Sequence, residues 1–485
     1  MWSLLLSAVL SVTSAQDPAA APPNSAELRR GRAEAPRDSG GAEAGPQGHA
    51  APPGALEGRP AEGQVSPLQA RIDAAPAGAT VEVPAGTYHG DVIIDRHLRL
   101  VGIGRPRLIG SGTGSVVRIR ADDVTVEGFD IDGRSGGDLA RDSAGVHVSG
   151  RHARVADCRI ERTLFGVYFR EAHGGTVERC RIAGIRGRDA GEKGSGIHVW
   201  NTDGFTLLDN VIADVRDGFY IQSSPHGLVA RNQARDLRYG LHYMFSDDNV
   251  FEDNVFENGA AGTALMYSRR LVFRRNSFVH NRGFASVGLL FKTCDDVVAE
   301  DNFIGDNARG VFLEDSRRNA FRRNIVAASD IAIVLYDSAH ENRFEGNAFV
   351  ANMTPLWLVG KRTDTVFDGN YWSDNDEPDL DGDGRTDRFF RLTNVFDHFR
   401  GNLTAADLFS AGFAGVALGV AERTFPVLEP VPVQDAAPLA RLPHLPHVPR
   451  PGPSESGPDL AGLAASAAAI VLGAAAMAGG RRRRS

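Results

Sequence analysis

Asparagine recurs in this chain at Asn210, Asn232, Asn254, Asn276, Asn302, Asn324, Asn347 and Asn370, at spacings of 22, 22, 22, 26, 22, 23 and 23 residues. A fixed period of this size restricts a chain to a solenoid, because one such unit cannot bury its apolar side alone and must stack on its neighbours. A second column keeps step with the first. Gly196, Gly218, Gly240, Gly262, Gly288 and Gly310 each stand 14 residues before an asparagine, and Ala332 stands 15 before Asn347. Carried backwards, the register places Cys180 and Cys158 in the asparagine column and Gly166 in the glycine column.

A short strand and a turn repeated in every coil stack each strand on its copy about 4.8 Å away. Asparagines in register can then bond one another and the turn backbones, which satisfies groups the coil would otherwise bury unpaired. The expected fold is therefore all-β: a single-stranded right-handed parallel β-helix with coils of about 22 residues. Cys158 and Cys180, one coil apart, read as two small buried thiols in place of asparagine rather than as a disulfide. The stretch Pro67 to Ala75 reads as a short helix covering the open end, ahead of strands through Val81–Val83, Gly86–Tyr88 and Leu98–Gly102.

Strand side chains alternate, so the two positions around each column sort into inside and outside. One and three residues after each glycine stand apolar side chains such as Ile197 and Val199, or Phe219 and Ile221, which form the expected interior. Two residues after it stand Tyr168, His198, Tyr220, His242, Ala264, Leu290, Phe312 and Val334, and four after it stand Arg170, Trp200, Gln222, Met244, Met266, Lys292, Glu314 and Tyr336. These sets are expected to face outward. In a chain with five methionines, two on adjacent coils of one outward face, with His242 beside them, suit a soft metal such as Cu(I), which thioether and imidazole ligands select. A partner-covered apolar patch fits the same residues and stands open beside the metal reading.

Outside the repeat, residues 1–15 end an apolar run in Thr13-Ser14-Ala15, the pattern of a secretory signal peptide. Residues 16–63 are rich in Ala, Pro and Gly and read as a disordered leader, with the β-helix over 64–400. Residues 401–440 are expected to hold a helical docking segment, since Leu403 to Val420 carries its apolar residues at helical period. Ten prolines between Phe425 and Pro458 make 441–458 an extended linker. The tail 459–485 contains an uncharged stretch, Leu460 to Gly480, long enough to span a bilayer, followed by Arg481 to Arg484, which the positive-inside rule keeps cytoplasmic. It reads as an anchor on an exported protein, with a sorting signal removed after export as the alternative.

Charge and carboxylates narrow the function. A net charge of −8 gives no basic field for a phosphate backbone, so nucleic acid is not an expected partner. Asp379, Asp381, Asp383 and Asp387, with Gly384 between the last two, have the alternating carboxylates of a structural calcium loop, although Phe390 stands where the closing glutamate would be. A solvated acidic turn is the plain alternative. A polysaccharide lyase, hydrolase or lectin is a further alternative, weakened because neighbouring coils do not offer paired outward acids.

The stretches Gly194–Trp200 (GSGIHVW), Arg216–Tyr220 (RDGFY), Arg238–Ser246 (RYGLHYMFS), Ala264–Ser268 (ALMYS) and Gly369–Asp374 (GNYWSD) together resemble the NosD family. The resemblance runs from about residue 65 to 440 and includes the Asp435–Leu439 (DAAPL) close of the domain. It implies a β-helix of the carbohydrate-binding and sugar-hydrolase type that is not itself an enzyme. It further implies a periplasmic protein that assists copper-centre assembly in nitrous oxide reductase. The partners it implies are the permease and ATPase subunits of an ABC transporter, the reductase apoprotein and a copper chaperone. On this chain it makes His242, Met244 and Met266, with His198, candidates for transient Cu(I) binding. Tyr168, Trp200, Tyr220, Lys292 and Tyr336 are then the partner-facing remainder of the stripe. The apolar tail with its four arginines departs from what the resemblance implies.

Overall fold

A computed structural model describes residues 66–283, 286–392 and 433–443 of the chain. The signal peptide, the leader, the segment Leu403 to Val420, the proline-rich linker beyond residue 443 and the apolar tail lie outside the described residues.

The expected parallel β-helix forms. Each coil contributes three strands, which stack into sheets of 15, 13 and 12 strands, parallel throughout but for Phe390–Arg391 at the end of the first. The strand Asp217–Gln222, for example, lies in register between Ser195–Trp200 and Tyr239–Met244 in the third sheet. The interior is as expected: Ile197, Val199, Phe219, Ile221, Leu241, Tyr243, Leu289 and Phe291 are fully buried. Phenylalanines stack along it from coil to coil, as Phe251 on Phe273 at 4.5 Å and Phe321 on Phe344 at 4.4 Å between ring centres.

The two columns have distinct physical causes. A Cβ at Gly218, Gly240 or Gly262 would lie 2.5–2.6 Å from the carbonyl oxygen of the equivalent residue one coil on, so the backbones approach too closely for a side chain. Asparagine serves the opposite corner. The Oδ1 of Asn254 accepts from both the N–H and the Nδ2 of Asn232, while its own Nδ2 donates to Val229 O and Asn276 Oδ1. The same pattern repeats to Asn370, where Asp435 ends the ladder. Its carboxylate accepts from the N–H groups of Gly369 and Asn370, Asn370 Nδ2 and Trp372 Nε1, at 2.8–3.1 Å. The last rung needs acceptors only, which a carboxylate supplies and an asparagine does not. Cys180 belongs to the ladder, its N–H donating to Asn210 Oδ1, and Cys158 and Cys180 are unbridged buried thiols.

Residues immediately before the asparagines adopt left-handed backbone and alternate in charge: Asp209, Arg231, Asp253, Arg275, Asp301 and Arg323. Each arginine makes a two-point ion pair with the aspartate one coil earlier, as Arg231 with Asp209 at 2.9 Å on both arms. The Arg231–Asp209 and Arg275–Asp253 pairs are about half exposed, a setting in which each is worth about 0–1 kcal/mol.

Both described ends are covered. The helix Pro67–Ala74 buries Leu68 and Ile72 on the first coils and starts at Ser66, whose hydroxyl accepts from Gln69 N–H. Gln69 then pairs with both backbone groups of Ile93, an otherwise open strand edge. At the far end, residues 433–443 hold no helix: Gln434–Asp435 pairs parallel with Val366–Asp368 and antiparallel with Phe390–Arg391, and bends follow. This corrects the expected helical segment over its last part, 433–440, where Asp435 is drawn into the ladder.

Candidate functional site

The outer face of the third sheet carries the site, and the glycine column shapes it. Pairing skips each glycine, running Ser195 to Asp217 to Tyr239 and then Ile197 to Phe219 to Leu241. Strict alternation would put the residue before a glycine inside. Instead it touches the residue two after: the rings of Phe165 and Tyr168 meet edge to face at 5.2 Å, as do Tyr239 and His242 at 5.3 Å. Three outward columns therefore run side by side.

The central column is a ladder of rings. His147, Tyr168, His198, Tyr220 and His242 succeed one another with centre separations of 5.3, 4.3, 4.4 and 4.8 Å, parallel except for the last contact, which is edge to face. This stacking closes a stripe expected to be solvated: Tyr168, His198 and His242 are each under a tenth exposed. Leu139, Leu164 and Ile185 pack around Tyr168 and Phe165 and deepen the burial. Burial, reinforced by Arg118 and Arg170, pushes the His147 pKa down to about 4. Burial, with Arg216 nearby, pushes that of His198 down to about 3. Both rings are neutral at pH 7, and the Nδ1 of each is buried without a hydrogen-bond partner.

His242 is held differently. Its Nδ1 lies 3.4 Å from Oδ2 of Asp217, a fully buried carboxylate that also receives Arg238 at 2.7 and 2.9 Å and Arg216 at 3.2 Å. Burial alone would raise the Asp217 carboxyl, but the hydrogen bonds from His242 and Arg238 outweigh it and keep the group well below the usual carboxylate range. The His242 Nε2 is buried and has no hydrogen-bond partner.

Met244 and Met266 pair directly across adjacent strands, with His242 two residues before Met244 on the same face. Both thioethers are half-buried, and the Tyr220 hydroxyl lies 4.0 Å from Met244 Sδ while donating to Gln222 Oε1 at 2.8 Å. The fold thus brings His242, Met244 and Met266 together on two coils. His198 stands apart, two coils before His242 with Tyr220 between them. Lys292 follows Met266 and pairs with Glu314 at 3.3 Å, Tyr336 stands farther along, and Trp200 lies under Arg170 at 5.5 Å.

Sequence reasoning missed three features. His147 heads the ladder, and Gly145-Val-His-Val148 repeats the pattern Gly196-Ile-His-Val199, a signal present in the chain. Asp217 was assigned to no face because alternation hides it. Phe245 and Tyr267, each next to a methionine, stack at 5.1 Å with about half their surface exposed. Both have left-handed backbone in a column otherwise held by Glu171, Asn201, Ser223, Thr293 and Asp315.

The carboxylates of Asp379, Asp381 and Asp383 come within 4.8 Å of one another at the exposed turn. They accept backbone N–H groups of Gly382, Gly384, Asp383 and Arg385. Asp387 accepts from Leu380 N–H instead.

Residues 184–377 match the family model described as periplasmic copper-binding protein (NosD). A probable ABC transporter binding protein NosD from Stutzerimonas stutzeri is 30% identical over 378 residues, covering 74% of this chain and 86% of that protein. One from Pseudomonas aeruginosa is 30% identical over 376 residues, covering 74% and 87%. The chain belongs to the NosD family. Its membership extends over nearly the whole length of these relatives, and the NosD match includes His198, Asp217, His242, Met244 and Met266 but neither His147 nor the aspartate turn. This makes it a periplasmic NosD-type protein whose relatives are named as binding proteins. Among solved structures, the A-modules of the mannuronan C-5 epimerases AlgE6 and AlgE4 of Azotobacter vinelandii are similar, at TM-scores of 0.54 and 0.53. Each is 16% identical; they cover 62% and 61% of this chain and 94% of their own. That likeness establishes the β-helix and nothing about substrate. Among the described residues no helix is long and apolar enough to cross a membrane.

Proposed function

We propose that this protein binds Cu(I) transiently at His242, Met244 and Met266 and assists assembly of the copper centres of nitrous oxide reductase. The observation that carries the proposal is a face on which two in-register, half-buried thioethers adjoin an imidazole whose buried Nε2 is unpartnered. Soft neutral donors of this kind favour Cu(I) over the harder divalent ions. The names of the relatives place such proteins beside an ABC transporter. In this reading its permease and ATPase subunits, a copper chaperone as donor and the reductase apoprotein as acceptor are the partners. His198 and the rings of Tyr168 and Tyr220 support the face, and Trp200, Lys292 and Tyr336 flank it toward partners. A C-terminal anchor within 459–485 would raise the local concentration at the transporter. Calcium on Asp379, Asp381 and Asp383 would be structural and separate.

A second reading is favoured by the exposed pair Phe245 and Tyr267: a docking scaffold that touches no metal, with these rings as contact points. Anaerobic Cu(I) titration against a competing chelator separates the two. The wild-type chain is expected to bind, and the combined His242→Ala, Met244→Ala, Met266→Ala variant to lose that binding. A wild-type chain that leaves all the metal on the chelator would end the copper reading.

A further inference from the structure

Three histidines lie in the ring ladder, but one alone has an acid against it. In the column before the glycines, the residue one coil earlier than His242 is Asp217; the residue in the same relation to His198 is Phe165, which meets that ring edge-on at 5.3 Å. We infer that Asp217 is a positioning residue for His242: it holds the ring as the Nδ1–H tautomer and leaves Nε2 as a lone pair for a soft monovalent metal ion. This rests on the copper reading above.

Two groups face Nδ1 at 3.4 Å, Oδ2 of Asp217 and the terminal nitrogen of Arg238. The choice between them follows from what each already does. The Arg238 fork gives its Nε–H to Oδ1 at 2.9 Å and one N–H of its terminal nitrogen to Oδ2 at 2.7 Å, so only the second N–H of that nitrogen is left for Nδ1. If Nδ1 carried no proton, its lone pair would face the lone pairs of a buried carboxylate. The proton would then sit on Nε2, a buried donor with no acceptor, which is the unfavourable arrangement. With the proton on Nδ1, it points at the carboxylate, and Nε2 is an unshared acceptor in a dry place. The same logic orients metal-ligating histidines generally, whose second nitrogen donates to a carboxylate or carbonyl.

The ring plane is fixed as well as the proton. Tyr220 presses edge-on from one coil at 4.8 Å and Tyr239 from its own strand at 5.3 Å, while the Arg238 guanidinium lies over the Tyr239 ring at 4.4 Å. Asp217 thereby ties two arginines, a tyrosine and the histidine into one unit beside the methionine pair. His198 has no such acid and its Nδ1 is unpartnered, so the assembly singles out His242.

The test uses the full-length chain with ¹⁵N-labelled histidine, His242 being assigned by loss of its signals in His242→Gln. Wild type is expected to show the Nδ1–H pattern, recorded at a pH high enough that no ring carries two protons. Asp217→Leu removes the acceptor and should lose that pattern and weaken Cu(I) binding tenfold or more, the range set by such outer partners. Asp217→Asn keeps an acceptor oxygen where two arginines direct it, and should retain the tautomer and most of the affinity. A purely structural role for the charge would instead make both variants fail together. An Nε2–H pattern in wild type overturns the inference, and this reading needs only the assignment variant His242→Gln to fold. So does a folded Asp217→Leu protein that binds within about twofold of wild type; in that case the copper reading stands. A wild type with Nδ1–H that takes no Cu(I) overturns the copper reading, and the ligand role of Nε2 falls with it.

Discussion

The asparagine corner and the ring ladder are both columns running along the coils, yet they obey opposite rules. At the corner the same residue returns from Asn210 to Asn370, and both side-chain polar atoms of each rung are bonded, Oδ1 to the rung before and Nδ2 to the rung after. On the outer face the residues change along the column, from imidazole and phenol at His147 to His242 to Ala264, Leu290, Phe312 and Val334. There, three imidazole nitrogens are left unbonded. A repeated, satisfied column is what a solenoid needs in order to stand. Unsatisfied buried atoms are tolerated where something else requires them.

The sharpest way to break this contrast is within the corner. Asn254→Ala strands the N–H of Asn232 in a fully buried site and removes one donor from the carbonyl of Val229 and one of three acceptors from Asn232 Nδ2. With about 1–3 kcal/mol for the unmet N–H and about 0.5–1.5 kcal/mol for each of the two bonds lost beside it, the expected loss is roughly 2–6 kcal/mol of stability, measured by chemical denaturation. A loss below about 1 kcal/mol would mean the ladder is ornament to a core that stands without it.

The ring ladder should instead answer to pH. His147 and His198 have folded-state pKa values of about 4 and about 3 against an unfolded 6.5. Between these values the unfolded chain binds more protons than the folded one, so stability is full above pH 6.5 and falls as pH drops toward 4. Between pH 7 and pH 5 the loss is on the order of 2 kcal/mol for each ring. His147→Phe and His198→Phe together should flatten that slope in melts across the range. An unchanged slope would locate the acid sensitivity elsewhere.

The two columns also differ in how far the sequence reveals them. The corner shows itself because one residue type returns at a nearly constant interval, and the same interval locates the glycines whose missing Cβ lets the coils approach. The outer face is harder to read, because its positions follow from alternation and alternation fails at every glycine. His198, His242, Met244 and Met266 lie after the glycine and were placed on the correct side. Asp217 lies just before it, and only the three-dimensional pairing brings it to His242. Burial of the stripe was also hidden: outward was equated with solvated, whereas flat rings at 4.3–5.3 Å cover one another. Asp435 lies 65 residues beyond Asn370, so no local period could announce it as the final rung.

The smallest effect expected is the most telling for the outer face. Phe245 and Tyr267 occupy left-handed backbone at φ of 52° and 53°, where bulky side chains are strained and asparagine is at ease. Changing both to Asn, the residue that Asn201 already places in this column, removes strain and exposed apolar surface together. The folded chain should therefore hold its stability or gain up to about 1 kcal/mol in thermal melts, since surface changes rarely exceed half of that each. Cu(I) affinity should stay at the wild-type level, because neither ring supplies a soft donor. If the rings are contacts for a partner, capture of the reductase apoprotein or of the transporter subunits should weaken while metal binding does not. A clear destabilisation would instead show that the stacked pair holds the methionine strands in place, and would move these two aromatics from the surface of the site into its support.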